Sequence, residues 1–206
     1  IRRHDMHVIG TFVIGGDDDT KAAGDRIARF VTETGISLNL FIVHDLEDDE
    51  SKGPFIPLRR RFQTHYLRAD PNATAHYDYM TGSFVTYFPK RMKPTTLQAT
   101  VLDVYDRVYT HGRILRRVCS RSTFTSVFGI AHGYGIKRMN ESLRNVVDAG
   151  YMDHLRRIEE GLYDSDENLI ESKLPELSGL PSPPPLEEPA DLRGYDRRIP
   201  FLVFPG

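Results

Sequence analysis

Residues 7–46 have the sequence HVIGTFVIGGDDDTKAAGDRIARFVTETGISLNLFIVHDL and show the pattern of one complete β-α-β unit. Residues 8–14 are an almost continuous apolar run, which predicts a strand buried on both faces. Apolar residues then recur at helical spacing over roughly residues 20–34, and Gly35 follows where a left-handed cap belongs. Residues 38–43 are apolar again. Because the connection is too long for a hairpin, the two strands are predicted to be adjacent and parallel.

Glycines and polar residues follow both predicted strands. In parallel α/β sheets and barrels, ligands bind at the carboxyl ends of the strands, so these residues should line one rim. Residues 17–20 also offer side-chain acceptors to the start of the helix. His44 and Asp45 are the best-placed polar pair, although a local backbone role for His44 remains open. The candidate binding residues are Ile14, Gly15, Gly16, Asp17, Val43 and His44.

Composition narrows the possible classes of function. The chain has 206 residues and a formal net charge of −2, which gives no basic field for nucleic acid. Its single cysteine, Cys119, excludes an internal disulfide and any all-cysteine zinc or iron–sulfur site built by this chain alone. We find neither an apolar run of about 18 residues nor a leader pattern, which predicts no membrane span and a cytoplasmic location.

The rest of the sequence predicts helices and a tail. Residues 83–88 are aromatic and β-rich and predict a strand or an extended edge segment, which Pro89 ends. An apolar stripe predicts a helix from Pro94 to about His111. A second, long helix is predicted over residues 137–161, weakened at Gly150.

Local motifs do not identify the chemistry. The glycines at 10, 15 and 16 follow no dinucleotide fingerprint, and there is no phosphate loop of the Walker type. His4 and His7 lack the glutamate and helical setting of a zinc hydrolase. Cys119 lies in a basic stretch, where an incidental role is favoured over a nucleophilic one.

The order of segments resembles one known family. Residues 7–17, HVIGTFVIGGD, resemble the strand and glycine turn near the end of the barrel in radical S-adenosylmethionine enzymes of the cobalamin-binding type. Residues 85–94, VTYFPKRMKP, resemble that family's apolar strand, "P-K-x-M-x-P" motif and terminal helix. The resemblance covers about residues 4–118. It departs at Lys93, where the family often has serine or threonine, and in lacking both the proline-rich motif after the last strand and the C-x-x-x-C-x-x-C cluster loop.

This resemblance implies an α/β fold that is the C-terminal portion of a partial (βα) barrel, followed by a helical extension and a proline-rich tail. The implied divisions are residues 1–67, with the last strands and helix of the barrel, 68–118, with a family-like strand and helix, 119–174, the extension, and 175–206, the tail. The implied cofactors are S-adenosylmethionine and a 4Fe-4S cluster, and cobalamin in some members. The candidate rim residues would then flank the adenosine or a small-molecule substrate, while a missing N-terminal half or partner chain supplies the cluster.

Two other hypotheses stay open. A barrel fragment with a proline-rich tail can serve as a non-catalytic interaction module, which the absence of cluster cysteines favours for this chain by itself. A hydrolase or transferase using His44, Asp45 and carboxylates at the rim needs a base and a partner that the sequence does not identify. A three-cysteine loop encoded in frame upstream of Ile1 would distinguish the enzyme from the module.

Overall fold

The computed structural model describes residues 7–43, 81–116 and 123–174 together with Pro184, and it has a mixed α/β fold. Its sheet has two parallel strands. In chain order the elements are β1 (Ile9–Ile14), α1 (Ala22–Thr34), β2 (Ser37–Ile42), α2 (Pro94–Val108), α3 (His111–Leu115), α4 (Thr123–Val146), a π-helical segment (Val147–Tyr151), α5 (Met152–Glu159) and a 3-10 turn (Glu171–Lys173).

The predicted β-α-β unit is confirmed. β1 and β2 pair in parallel, in a register that runs from Ile9 opposite Ser37 to Ile14 opposite Ile42. Gly35 ends α1 with φ 65° and donates its N–H to the Val31 carbonyl, as a left-handed cap requires. The connection through α1 therefore joins two adjacent parallel strands, as predicted.

The start of α1 differs from the expectation. The helix begins at Ala22, and its N-cap residue, Lys21, makes no side-chain cap hydrogen bond. Asp19, which was expected to serve the helix, instead accepts hydrogen bonds from the Gly15 and Gly16 N–H groups. Asp19 therefore closes the turn after β1, and the first turn of α1 has no side-chain cap.

The two faces of the sheet differ, and the prediction that the first strand is buried on both faces is wrong. Paired side chains of a parallel register share a face, and on one face Ile14, Leu38, Leu40 and Ile42 are buried while Phe12 is half-buried. On the other face, Ile9 is 41% exposed and Val13 is 60% exposed. Within the part of the chain that the structure describes, these two side chains are among the exposed large hydrophobic ones.

The outer edge of β2 pairs with tyrosine side chains. The Tyr109 hydroxyl accepts from the Leu38 N–H and donates to the Leu38 carbonyl, both at 2.8 Å. Tyr105 makes the same pair with Leu40, at 2.8 and 2.9 Å. Both tyrosines belong to the C-terminal end of α2, one helical turn apart, so their rings stack with centroids 6.3 Å apart. Two hydroxyls thus take the place of a third strand along this edge.

α1 and α2 lie side by side because Gly24 allows a close approach. A Cβ at Gly24 would lie 2.3 Å from the Thr100 methyl and 3.1 Å from a methyl of Val104. Ala28 and Val31 follow Gly24 at helical spacing and are buried. Phe30, an apolar residue of the same helix, is 49% exposed, because it is Gly24, Ala28 and Val31 that face α2.

The sequence predicts a strand or an extended edge segment at residues 83–88. In the structure these residues form no strand and lie in the interior of the protein. Phe84 to Phe88 are all buried. The Gln98 side chain accepts from the Val85 N–H at 3.1 Å and donates to the Ser83 carbonyl at 3.0 Å. The Tyr151 hydroxyl donates to the Val85 carbonyl at 2.7 Å. Side chains from two helices therefore satisfy the backbone where a neighbouring strand otherwise would.

The C-terminal helices form the layer behind α2. The helix predicted from residue 137 begins at Thr123 and continues through the stretch that the sequence left unassigned. It becomes π-helical at Val147, where Gly150 has φ 151°, and continues as α5. The buried stripe of Val147, Tyr151, Leu155 and Ile158 joins the same core as α2. The predicted weak point at Gly150 is thus a real distortion of the helix.

Several predicted features lie outside the described residues. They include the polar pair of His44 and Asp45, Cys119, and almost all of the proline-rich tail. Pro184 is described, and its side chain lies close to Gly150. Among the described helices, none is both long and apolar enough to cross a membrane.

Tyr105→Phe and Tyr109→Phe should each lower the free energy of unfolding by about 1–3 kcal/mol, because each change leaves a buried N–H and carbonyl of β2 without partners. Urea denaturation of the purified chain measures this. Tyr134→Phe is the matched control, since Tyr134 is partly exposed and its hydroxyl lies 3.4 Å from a His111 ring nitrogen. Equal stability of the Tyr105 and Tyr134 variants would contradict the role given to the β2 edge.

Alkaline pH should weaken the fold through Tyr105. Burial raises the pKa of its hydroxyl from 10.0 to about 12. The unfolded chain therefore loses this proton first, so the contribution is complete below pH 10 and falls as pH rises toward 12, by on the order of 2 kcal/mol. Urea midpoints across this range should fall less steeply for Tyr105→Phe than for the wild-type chain. Parallel pH profiles for the two proteins would refute the assignment.

Candidate functional site

The carboxyl ends of β1 and β2 meet, as predicted. The Val43 N–H donates to the Ile14 carbonyl at 3.0 Å, so the last residue of β1 and the residue that follows β2 are hydrogen-bonded neighbours. Gly15, Gly16 and Asp17 continue directly from β1 at this place. We call residues 14–17 and Val43 the rim. His44, the remaining candidate, lies outside the described residues.

The turn at the rim is organised by Asp19. One oxygen of its carboxylate, Oδ2, accepts from both the Gly15 and the Gly16 N–H groups at 3.0 Å. The Asp19 N–H in turn donates to the Gly16 carbonyl at 3.0 Å. Two successive N–H groups that could bind an anion are therefore occupied by a carboxylate of the chain itself.

Gly15 is required by packing within the protein. It has φ 102°, where a side chain is strained, and a Cβ there would lie 2.0 Å from the Tyr87 hydroxyl and 2.9 Å from Leu97. That hydroxyl donates to the Gly15 carbonyl at 2.5 Å. The space that the absent side chain leaves is thus filled by Tyr87 from the buried segment before α2.

Gly16 is the more open of the two glycines. The nearest atom to a Cβ built there is the Asp19 Oδ2, at 3.6 Å, and its φ lies outside the left-handed region. Gly16 itself is half-buried. If backbone at the rim approaches a ligand, Gly16 is therefore better placed than Gly15 to do so.

Charges surround the rim on its solvent side. The Lys90 ammonium lies 3.6 Å from an Asp17 oxygen and 3.8 Å from a Glu171 oxygen. Burial raises the pKa of the Tyr87 hydroxyl, and the carboxylates of Asp19 and Asp17 raise it further. Tyr87 consequently stays protonated across the physiological range and serves as a hydrogen-bond donor, not as a base.

The arrangement is chemically suited to binding and positioning. Within the part of the chain that the structure describes, no three His, Cys, Asp or Glu side chains converge to hold a metal ion. A protonated phenol, backbone carbonyls and a partly exposed lysine can orient a polar ligand. Among the described residues, these three kinds of group supply no pair with the roles of nucleophile and base.

Sequence reasoning missed three residues of this region: Tyr87, Lys90 and Asp19. Residues 85–94 carry part of the resemblance described from the sequence, yet nothing in their spacing indicates that they return to β1. Asp19 was expected to cap the helix, because acidic residues before a helix usually do so. Asp19 lies only three residues after Gly16, and this short spacing is a local signal that could have predicted the turn instead.

Gly15→Ala should lower the free energy of unfolding by about 1–3 kcal/mol, because a side chain is strained at this φ and would overlap Tyr87. Gly16→Ala is the matched control, one residue away in the same turn, and should be near neutral. Urea denaturation of the two variants provides the comparison. A destabilised Gly16 variant beside an unaffected Gly15 variant would reverse our assignment of the two glycines.

Comparison with known proteins identified no relative of this chain. No protein-family model matches the chain, and no curated protein or solved structure shows significant similarity to it. The geometry of the rim and of the two sheet edges therefore carries the functional interpretation, together with the resemblance described from the sequence.

Proposed function

We propose that this chain is the C-terminal portion of a radical S-adenosylmethionine iron–sulfur enzyme of the cobalamin-binding type. In this proposal it forms the late-strand side of the pocket for cofactor and small-molecule substrate. The cluster-binding half belongs to an N-terminal segment or a partner chain, and the complete enzyme works in the cytoplasm. The observation that carries the proposal is the difference between the two edges of the parallel sheet.

The β2 edge supports its assignment as the last strand of a partial barrel. Hydroxyls of Tyr105 and Tyr109 and the Gly82 carbonyl occupy the outward-facing groups of Leu38, Leu40 and Ile42. A further strand cannot pair there without displacing α2. Additional strands can therefore join the sheet beside β1 alone, which is the order that a C-terminal barrel portion requires.

The rim supports a role in positioning. Ile14 and Val43 are adjacent at the strand ends, and Gly16 is accessible at the same place. In the proposed enzyme, Ile14, Gly15, Gly16, Asp17, Val43 and His44 flank the adenosine or the substrate. Tyr87 acts through Gly15, whose carbonyl it holds, and is therefore a positioning residue.

The cofactors would supply the radical chemistry, and this chain would supply orientation and exclusion of water. Its residues do not fit the cluster itself, because a 4Fe-4S cluster needs several thiolates and the chain has Cys119 alone. The contribution of this chain to the reaction is consequently limited to its side of the pocket.

The purified chain should therefore neither assemble a stoichiometric iron–sulfur cluster nor cleave S-adenosylmethionine. Anaerobic reconstitution followed by an absorbance spectrum and iron analysis tests the first part, and chromatography of the nucleoside products tests the second. A Cys119→Ser variant is the control, and it should give the same baseline as the wild-type chain. One cluster per monomer that Cys119→Ser abolishes would contradict this expectation.

The reading frame upstream of Ile1 gives the most direct test of the proposal. An in-frame C-x-x-x-C-x-x-C loop preceded by further β-α repeats supports it, and a complete protein without such a loop refutes it. In the longer protein, Gly16→Val should weaken binding of S-adenosylmethionine in calorimetry while leaving the thermal midpoint nearly unchanged. Gly15→Val is less informative, because its overlap with Tyr87 lowers stability as well. Unchanged affinity in a folded Gly16→Val enzyme would remove this turn from the pocket.

A non-catalytic interaction module is the second candidate. The observation that favours it is the apolar edge of β1, which pairs with no other strand in the part of the chain that the structure describes and offers a surface for another polypeptide without requiring a cofactor. An upstream sequence that lacks the cluster loop would favour this candidate over the enzyme.

A further inference from the structure

The chain turns back on itself after α5 in a short hairpin that Asp164 closes. Tyr163 and Leu169 form an antiparallel bridge. The Asp164 Oδ1 accepts from the Asp166 N–H at 2.9 Å and from the Asn168 N–H at 2.8 Å. The bond from the Asn168 N–H is the main cause that holds the pKa of Asp164 below its ordinary value. We call residues 159–171, which run from the end of α5 through this hairpin, the strap.

Glu167 lies near the tip of the hairpin in an unusual backbone conformation. Its φ is 63°, and within the part of the chain that the structure describes it is the one non-glycine residue with a positive φ. One oxygen of its carboxylate accepts from the Lys93 N–H at 3.4 Å, and the other accepts from the Thr96 hydroxyl at 3.1 Å. A strained residue whose side chain reaches the start of α2 points to a role beyond the turn itself.

A second carboxylate of the strap holds the same end of α2. The oxygens of Glu159 accept from the Thr95 N–H at 3.0 Å and from the Thr95 hydroxyl at 2.7 Å. The N-cap residue of α2, Lys93, makes no side-chain cap hydrogen bond of its own. The first N–H groups of a helix need acceptors, and here Glu159 and Glu167 supply them from more than sixty residues away in the chain.

The strap also binds the backbone of the residues before α2. The Tyr163 hydroxyl donates to the Pro89 carbonyl at 2.9 Å. The Leu169 N–H donates to the Lys90 carbonyl at 2.8 Å. The segment that leads into α2 is therefore held by the strap at Pro89 and Lys90 as well as at the start of the helix.

Opposite charges favour this contact without dominating it. Residues 159–171, EEGLYDSDENLIE, contain six acidic side chains and no basic one, whereas residues 89–96, PKRMKPTT, contain three basic side chains and no acidic one. The Lys90 ammonium lies 3.8 Å from a Glu171 oxygen, but the two side chains are 41% and 70% exposed. An ion pair that is so exposed contributes little, so the hydrogen bonds carry most of the contact.

The segment held by the strap touches the rim through two side chains. The Tyr87 hydroxyl donates to the Gly15 carbonyl at 2.5 Å, in a buried position. The Lys90 ammonium lies 3.6 Å from an Asp17 oxygen and is partly exposed. Because Tyr87 and Lys90 are three residues apart in the sequence, a displacement of this short segment moves both contacts. The buried bond from Tyr87 is the stronger of the two links.

We propose that the strap is a positioning element of the rim, that its opening loosens the rim, and that Glu167 is the positioning residue that fastens it. With the strap closed, the segment before α2 is fixed, Tyr87 holds the Gly15 carbonyl and Lys90 stays beside Asp17. With the strap open, both links to the rim lose their support.

The strap can open while the core stays folded. Among residues 160–171, Leu162 is the one that is buried, and the others are half-buried or exposed. The bonds from Lys93 and Thr95 to the strap carboxylates are part-buried. Segments with few buried apolar contacts open at a lower free energy than the whole fold. Opening is therefore a local step that changes the rim and leaves α2 in place.

The strap acts on the rim of the proposed function, so its value for regulation rests on the proposal that the rim binds a ligand. Its effect on the shape of the rim does not. Hydrogen exchange at the rim is measured in the chain alone, whereas binding of S-adenosylmethionine is measured in the longer protein. Failure of one measurement is thus distinguishable from failure of the other.

Hydrogen exchange followed by NMR in the purified chain tests the strap without any cofactor. Glu167→Gly removes the carboxylate and also relieves the strain at this φ, so it unfastens the strap without weakening the hairpin itself. Exchange of the Gly15 and Gly16 N–H groups should become roughly tenfold faster or more, as the loss of hydrogen bonds to a charged group implies. Exchange of the Leu169 N–H, which binds the Lys90 carbonyl, should become faster as well.

Control variants separate this effect from a general loss of stability. Glu167→Gln keeps an oxygen that can accept one of the two bonds and should restore part of the protection. Glu160→Gln removes a charge from an exposed position of the same strap and should change nothing. Tyr109→Phe weakens the fold from the other end of α2, so it should speed exchange at the rim and at the buried Val101 alike. Glu167→Gly should speed exchange at the rim relative to Val101.

A double-mutant cycle tests the route from the strap to the rim. In Tyr87→Phe the hydroxyl that holds the Gly15 carbonyl is absent, so Glu167→Gly should add little further exchange at Gly15 in that background. Residues that act in one network give such non-additive effects. The thermal midpoints of the single and double variants show whether each protein is folded.

Three results would overturn the proposal. If Glu167→Gly speeds exchange at Leu169 but not at Gly15 and Gly16, the strap opens without affecting the rim. If exchange at Leu169 is also unchanged, Glu167 does not fasten the strap. If Glu167→Gly and Tyr109→Phe change the rim and Val101 in the same proportion, the strap contributes general stability and has no positioning role.

Discussion

The hydrogen bonds from Tyr105 and Tyr109 to β2 are the interaction on which the rest of the structure depends. Two parallel strands do not form a stable sheet alone, because each strand leaves half of its backbone groups without partners. Here the two hydroxyls satisfy four of those groups on β2 and hold α2 at a fixed distance and rotation beside the strand. The buried stripe of α2 is thereby directed at the segment 83–88 and at the C-terminal helices, which complete the core.

A second constraint joins this core to the rim. The Tyr87 hydroxyl reaches the Gly15 carbonyl, and Gln98 of α2 holds the backbone two residues before Tyr87. The turn after β1 is thus fixed by a chain of contacts that begins at α2. Since Asp19 occupies the N–H groups of the same turn, side chains of the protein itself hold this turn in its conformation. Such preorganisation suits a surface whose role is to orient a cofactor or substrate.

The two edges of the sheet differ in what they present. On the β2 side, side chains replace a strand and the fold ends there. On the β1 side, backbone groups and apolar side chains are presented in both layers. That asymmetry supports a position at the end of a larger sheet.

The sequence by itself determined the local elements. The parallel β-α-β unit, the left-handed cap at Gly35, the helix from Pro94 and the distortion at Gly150 all follow from periodicity and from glycine or proline, which act within a few residues. The adjacency of Ile14 and Val43 also follows, because parallel strands end at the same edge. Tertiary structure alone decided which faces are buried, that residues 83–88 are interior, and that Gly15 leaves space for the Tyr87 side chain. These depend on groups more than sixty residues apart in the chain, such as Leu38 and Tyr109, whose pairing no local pattern encodes.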